Sequence, residues 1–307
     1  MKKTVLLDEL KNATGNIPYG MTNDYMFRAV LQSNKIVLKG LICSLLHLSE
    51  DEVISVEITN PIMLGEAITN KEFRLDINVV LNNRSLINLE MQIANRLNWT
   101  DRSLNYLCRS YDKLQKGDDY SATRPVIHIG FLDYTLFEEH PEFYATYKFM
   151  NIRNHHVYSD KLVLGVVELN HTELATEEDK QYGIDYWAKL FKAKTWEEIK
   201  MLAENNTYIT EATNTIFRLS AEELIQKRCR DREEYYQDLQ NYERTIAQKN
   251  QLLMEQENQL TEQRNQLTEQ RNQLTEKDNL LTEKDLEIEQ LKAQIEKMRN
   301  NIEACTG

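Results

Sequence analysis

Two different spacings of apolar residues run through this chain. From Leu253 onward one apolar position returns every seventh residue: Leu253, Leu260, Leu267, Leu274, Leu281, Ile288, Ile295 and Ile302. A seven-residue period holds these side chains on one stripe of a helix, and a single helix cannot bury that stripe. The segment Asn258-Gln259-Leu260-Thr261-Glu262-Gln263-Arg264 repeats at 265–271 and returns with small changes at 272–278 and 279–285, the pattern of a sequence duplication. The second seam position is polar through Gln256, Gln263, Gln270, Lys277 and Lys284, and turns apolar only at Leu291 and Met298. The expectation is a long helix forming a weak coiled coil, a parallel dimer, with a solvated single helix as the alternative.

Before the tail the pattern alternates between helical and strand periods. Thr22 or Asn23 can cap a helix running from about Asp24 through Leu46, weakened at Gly40, with Phe27, Val30, Leu31 and Leu38 on its apolar side. Strands are predicted at Val56–Ile58, Phe73–Leu81 and Ser85–Ile93, the last two joined by a hairpin turn at Asn82-Asn83. A helix from about Asn98 to Leu114 stops at Gly117. Further strands follow at Pro125–Leu132, Tyr147–Ile152 and Leu162–Leu169. From Glu177 the pattern is helical, with Trp187, Leu190 and Phe191 on one face, then Tyr208–Phe217 and Ser220–Tyr236. This order predicts an α/β core over 1–176 with a mixed sheet and flanking helices, a helical extension over 177–240 packed on it, and a coiled-coil tail over 241–307.

Composition narrows the class of protein. Of 307 residues, 41% are hydrophobic and 28% charged, a globular composition. There is no run of eighteen apolar residues, and the N-terminus turns acidic at Asp8 before an apolar core can form. Neither membrane insertion nor secretion is expected, and the cytoplasm is the expected location. Cys43, Cys108, Cys229 and Cys305 form no CxxC pair and stand beside no His at zinc spacing, so buried reduced thiols are expected. The net charge is −12; from residue 236 onward 14 acids face 9 bases, so the tail does not mask a basic core. Any nucleic-acid contact must rest on a local basic surface, with metal ions offsetting acids near the phosphate.

The residues that could carry chemistry lie in the predicted hairpin. Asp76 is on its first strand; Glu90 and Gln92 are two apart on the second and share a face. Pairing about Asn82-Asn83 sets 75 opposite 90 and 76 opposite 89, so a small register shift is needed to bring Asp76 to Glu90. Two such carboxylates offer hard oxygens to Mg²⁺ or another divalent cation, which can polarise a phosphate and acidify a water. The plain alternative is a wet hairpin face with three polar residues. Against it, Leu75, Ile77, Leu89 and Met91 flank the acids, and uncompensated charge in such a setting is costly. Arg102, Tyr106 and Arg109 follow at i, i+4 and i+7 of one helix, a face that could meet DNA phosphates or simply pack and solvate. His128 inside an apolar strand reads as a satisfied core histidine, and His155-His156 as loop residues.

The ordered set Thr22-Asn23-Asp24-Tyr25-Met26-Phe27-Arg28-Ala29-Val30, Arg74-Leu75-Asp76-Ile77 and Asn88-Leu89-Glu90-Met91-Gln92 resembles the Rpn family of recombination-promoting nucleases and transposases, in the PD-(D/E)XK class. The likeness continues through Asp101–Tyr106, Tyr111, Gly117–Tyr120, Pro125–Ile129, Val167–Leu169, Trp187 and Arg232–Asp238, covering roughly residues 20–240. The resemblance implies a restriction-endonuclease-like core and a Mg²⁺-dependent DNA endonuclease, with Asp76 and Glu90 as metal ligands and Gln92 where the wider superfamily usually has Lys. It also implies a role in recombination, transposition or defence against foreign DNA. Gln can orient water or phosphate only through hydrogen bonds, where Lys would supply charge. Asp24 matches an acid that contacts the metal through water; as a helix N-terminal acid it is equally explained by the helix dipole. The competing class is a nuclease-like scaffold that has lost cleavage and acts as a coiled-coil interaction protein.

Overall fold

The computed structural model describes residues 5–62, 64, 76–111, 116–117, 119–204 and 206–306, with side chains described as far as 298. By its contacts the chain divides into two units, Met1–Tyr236 and Gln237–Gly307. The first holds helices α1 (Asp8–Asn12), α2 (Asp24–Ser33), α3 (Lys35–Leu45), α4 (Trp99–Tyr111), α5 (Glu177–Tyr182), α6 (Ile184–Lys192), α7 (Trp196–Ala203) and α8 (Thr207–Ser220). Its strands are β1 (Val56–Ile58), β2 (Ile77–Leu81), β3 (Ser85–Gln92), β4 (Val126–Leu132), β5 (Tyr144–Met150) and β6 (Val157–Glu168). Helix α9 (Glu223–Thr306) begins in the first unit and supplies the second.

Among the described residues the strands form one sheet in the order β1-β2-β3-β4-β6-β5. The β1/β2, β2/β3 and β5/β6 pairs are antiparallel, while β3/β4 and β4/β6 are parallel. The predicted mixed sheet with flanking helices is therefore the observed fold. The parallel β3–β4 step requires a crossover, and α4 provides it by packing against β4 and β6.

Period-two alternation divides the sheet faces. Ile77, Val79, Leu81, Ile87, Leu89, Met91, Ile129 and Phe131 point into the main core with α2, α3, α6 and α8. Phe27, Phe131 and Phe191 meet there at ring separations of 5.2–5.6 Å, each pair worth about 0.5–1.5 kcal/mol beyond its buried area. Trp187 is fully buried beside them, its Nε1 donating to Ser44 Oγ at 3.0 Å. The other face carries Asn88, Glu90, Gln92, His128 and Gly130 under α4, with Trp99, Leu132 and Val166 as a small apolar cluster. Gly130 is required here: a Cβ at that position would stand 2.0 Å from Trp99 Cζ2.

Several expected boundaries move. The helix predicted over Asp24–Leu46 is two helices, and the break is at Asn34 rather than Gly40. The Asn34 side chain accepts from Ile36 N and Val37 N, capping α3, and its Nδ2 donates to Thr215 Oγ1 at 2.9 Å. Gly40 instead admits the Tyr208 ring, which an added Cβ would meet at 2.3 Å. The helix predicted over Asn98–Leu114 is described over Trp99–Tyr111, and 112–115 lie outside the described residues. So do 73–75 of the strand predicted over Phe73–Leu81. The predicted strand Tyr147–Ile152 begins earlier, at Tyr144. Leu162–Leu169 is the second half of a strand that starts at Val157. Cys43 and Cys229 are buried as expected, but Cys108 is exposed on α4.

In the second unit the side chains of α9 are exposed from Gln240 to Met298. Leu260, Leu267, Leu274 and Leu281 each expose 59–64% of their surface. Among the described residues no helix is long and apolar enough to cross a membrane.

Candidate active site

The β2–β3 hairpin sets the site's geometry through its turn. Asn82 and Asn83 both adopt positive φ, 50° and 56°, which Asn tolerates better than most residues. The strands pair as Leu81↔Ser85, Val79↔Ile87 and Ile77↔Leu89, so the connection has three residues, Asn82-Asn83-Arg84. The two-residue turn expected from the sequence is corrected by one position. Carried one step beyond Ile77↔Leu89, the same register brings Asp76 opposite Glu90, and both residues line one cleft. Asn82 Oδ1 also accepts from Ile54 N and Ser55 N, tying β1 to the same turn.

Asp76 is fixed by both its main chain and its carboxylate. Its carbonyl oxygen accepts from Arg28 Nη1 and from Asn60 Nδ2, and Oδ2 accepts from Asn88 Nδ2 at 2.8 Å. Asn88 Nδ2 also donates to Asn78 Oδ1. Asn88 Oδ1 must then accept, so His128 Nδ1, 2.6 Å away, carries the proton and donates. His128 is fully buried between the rings of Trp99 and Tyr106, at 5.5 and 5.8 Å. Burial, and then the Arg102 charge, push its pKa down to about 4, so the ring is neutral near pH 7. Its Nε2 lies 4.0 Å from Glu90 Oε2.

Glu90 is 4% exposed and bonded through Oε1 to Arg102 Nη2. Burial by itself would lower the Arg102 pKa, but Glu90 beside it leaves the guanidinium raised and charged. Gln92 continues the face, its Nε2 donating to Ala94 O at 2.9 Å. Asp24 enters from the first turn of α2. Asn23 caps that turn by accepting from Tyr25 N and Met26 N, and its Nδ2 donates to Cys229 O, docking α9 on α2. One turn along α9, Arg232 meets the Asp24 carboxylate through Nε at 3.0 Å and through Nη2, and Tyr236 OH donates to Asp24 Oδ2 at 2.8 Å. Burial, and then Asp24, raise the Tyr236 pKa, so the phenol keeps its proton.

These groups line one cleft of about 80 Å³: Asp24, Asp76, Glu90 and Gln92 with Arg96, Arg102, Arg232 and the Tyr235–Tyr236 pair. The structure thus brings together Asp24, Asp76, Glu90, Gln92 and Arg102, with Tyr106 one turn behind on α4. Arg109 is exposed farther along that helix and does not line the cleft. Sequence reasoning gave no role to Asn88, Arg96, Arg232 or Tyr236. The spacing Arg232-x-x-Tyr235-Tyr236 was a usable signal, because i+3 and i+4 put both rings on the arginine's side of a helix. Both lie against the guanidinium, at 5.2 and 5.0 Å.

Among the described residues no three His, Cys, Asp or Glu side chains converge to hold a metal. Mg²⁺ asks for less, because it commonly takes one or two carboxylates and completes its shell with water and substrate phosphate. Asp76 and Glu90 are hard oxygen donors lining one cleft, so the residues fit such a cation. Asp24 is less available, having both carboxylate oxygens on Arg232. A cation at Glu90 would compete with Arg102.

No curated protein and no solved structure gives a match to the chain. Residues 21–245, which contain every residue of the cleft, match the family described as PD-(D/E)XK nuclease family transposase. The chain belongs to this family, which includes Rpn-like proteins.

Proposed function

We propose that this chain is a Mg²⁺-dependent endonuclease that hydrolyses phosphodiester bonds in DNA, with Asp76 and Glu90 as the ligands of the cation. The observation that carries the reading is that both carboxylates line one cleft that also holds Gln92 and three arginines. Nucleases of this class typically use divalent metals. When bound, the cation polarises a phosphoryl oxygen and lowers the pKa of an attacking water. Gln92, tethered to the strand end by Ala94 O, orients water or a phosphate oxygen by hydrogen bonding. Arg96 and Arg102 present guanidinium groups suited to phosphate oxygens. Asn88, which accepts from neutral His128, donates to the Asp76 carboxylate and holds it in place without adding charge. A nuclease-like domain over 1–176, a helical extension over 177–240 and a self-associating tail over 241–307 complete the proposal. Recombination, transposition or defence against foreign DNA is the role that family membership supports.

Purified protein should nick or cut plasmid DNA with Mg²⁺ and stop when EDTA is added. Asp76→Ala and Glu90→Ala should each lower cutting by about 10³-fold, the several kcal/mol that a lost metal ligand is worth. A second reading draws on the arginines. Arg102 on Glu90 and Arg232 on Asp24 could neutralise the acids permanently, leaving a scaffold that binds partners without cleavage. A thermal shift on adding Mg²⁺ or Mn²⁺, absent in the Asp76 variant, separates the two.

A further inference from the structure

The exposed stripe on α9 calls for a second helix, and the residues beside it specify which way that helix runs. With Leu253, Leu260, Leu267, Leu274, Leu281, Ile288 and Ile295 as the seam, each exposed by about half or more, one flanking row reads Glu257, Arg264, Arg271, Asp278, Asp285 and Lys292. Reversed and laid against itself, this row sets Arg271 against Asp278, Arg264 against Asp285 and Glu257 against Lys292. Every position meets an opposite charge, and in a two-fold dimer each pair occurs twice. In that register two seam layers are wholly apolar, Leu260 with Leu291 and Leu253 with Met298; the others set an apolar residue against Gln256, Gln263, Gln270, Lys277 or Lys284, whose polar ends can reach water, and no two lysines meet.

A parallel dimer uses the same residues poorly. Flanking contacts then join residues five apart on opposite chains, giving Gln259–Arg264, Gln266–Arg271, Gln273–Asp278 and Leu280–Asp285, with one charge pair, Glu287–Lys292. Lys277 and Lys284 would each face their own copy in the seam, two successive like-charge layers. We infer that the tail is an antiparallel pairing surface for a second copy of this chain, centred between Leu274 and Lys277. This replaces the parallel arrangement expected from the leucine spacing alone. It rests on the proposed self-association of the tail and is independent of the nuclease reading.

The test uses the full-length chain with Cys108→Ser and Cys305→Ser and a spin label on Gln256→Cys. In the antiparallel register Gln256 lies beside Ile295 of the second copy. The two labels are then about 58 Å apart along the helix, from a rise of about 1.5 Å per residue. A parallel dimer puts them on the order of 10 Å apart, the spacing of packed helix axes. Charge reversal gives an independent readout by sedimentation equilibrium. Arg271→Asp should weaken the dimer several-fold, and Asp278→Arg added to it should restore the affinity. The long distance together with the rescue supports the inference. A short distance, or a dimer indifferent to both substitutions, overturns it while leaving self-association standing. A monomer at all working concentrations overturns both.

Discussion

The two walls of the cleft are built from opposite charges. The sheet wall supplies Glu90 and Gln92 from β3, paired on both sides by β2 and β4, and Asp76 from the residue just before β2, whose carbonyl is held by Arg28 and Asn60. The helical wall supplies Arg102 from α4 and Arg232 from α9, on long side chains that can change rotamer. Asp24 is the exception, an acid on the helical wall, and it has the tightest counterion. Its pair with Arg232 is buried on both sides, whereas Arg102 on Glu90 keeps 31% of its side chain exposed. The difference assigns the pairs different work. Arg232–Asp24 holds α9 to α2 as a structural contact, and Arg102–Glu90 is the pair that ligand binding can open.

The largest effect should come from breaking the buried pair. Arg232→Ala strands a buried carboxylate and should cost about 3–5 kcal/mol in denaturant unfolding, while Asp24→Leu with Arg232→Met should recover most of the loss. Next comes the histidine behind the sheet wall. An unfolded His titrates near 6.5 and His128 near 4, so its contribution is whole above about pH 6.5 and is lost as the pH falls toward 4. The loss is on the order of 3 kcal/mol, and unfolding curves of His128→Gln should be flatter across that window than those of the unaltered chain. Gly130→Ala drives a methyl into Trp99 and should destabilise the seating of α4 by about 1–3 kcal/mol, read by denaturant midpoint. The smallest effect sharpens the contrast between the two pairs. Arg102→Gln should tighten Mn²⁺ binding by about tenfold in calorimetry, because Glu90 no longer has to exchange a charged hydrogen bond for the cation. Equal or weaker binding would show that Arg102 is not the cation's competitor.

Much of the first unit was legible because period-two alternation and Asn/Gly punctuation are local signals. The β2–β3 hairpin, β4 and the apolar face of α6 follow from them directly. The facing of Asp76 and Glu90 needed one fact that is not local, a three-residue rather than two-residue turn, and Asn82 adopts that turn while bonding to Ile54 and Ser55 about 27 residues away. The break at Asn34 was hidden because its capping competes with a continuous apolar stripe. Arg232 and Tyr236 entered only through the family resemblance, without a role, because their partner, Asp24, is 208 residues distant from Arg232. Nothing in the spacing of either segment points to the other. Of the helix face predicted from Arg102, Tyr106 and Arg109, the cleft lining includes only Arg102, and Arg109 is exposed farther along α4.

The most direct test is one preparation measured two ways, plasmid cleavage and thermal stability, each titrated with Mg²⁺ for the unaltered chain and for Asp76→Ala. The account predicts that the unaltered chain cuts DNA and is stabilised over the same range of Mg²⁺ concentration, and that Asp76→Ala does neither while unfolding cooperatively. Undiminished cleavage by a folded Asp76→Ala, or an unaltered chain indifferent to Mg²⁺ in both measurements, would contradict it.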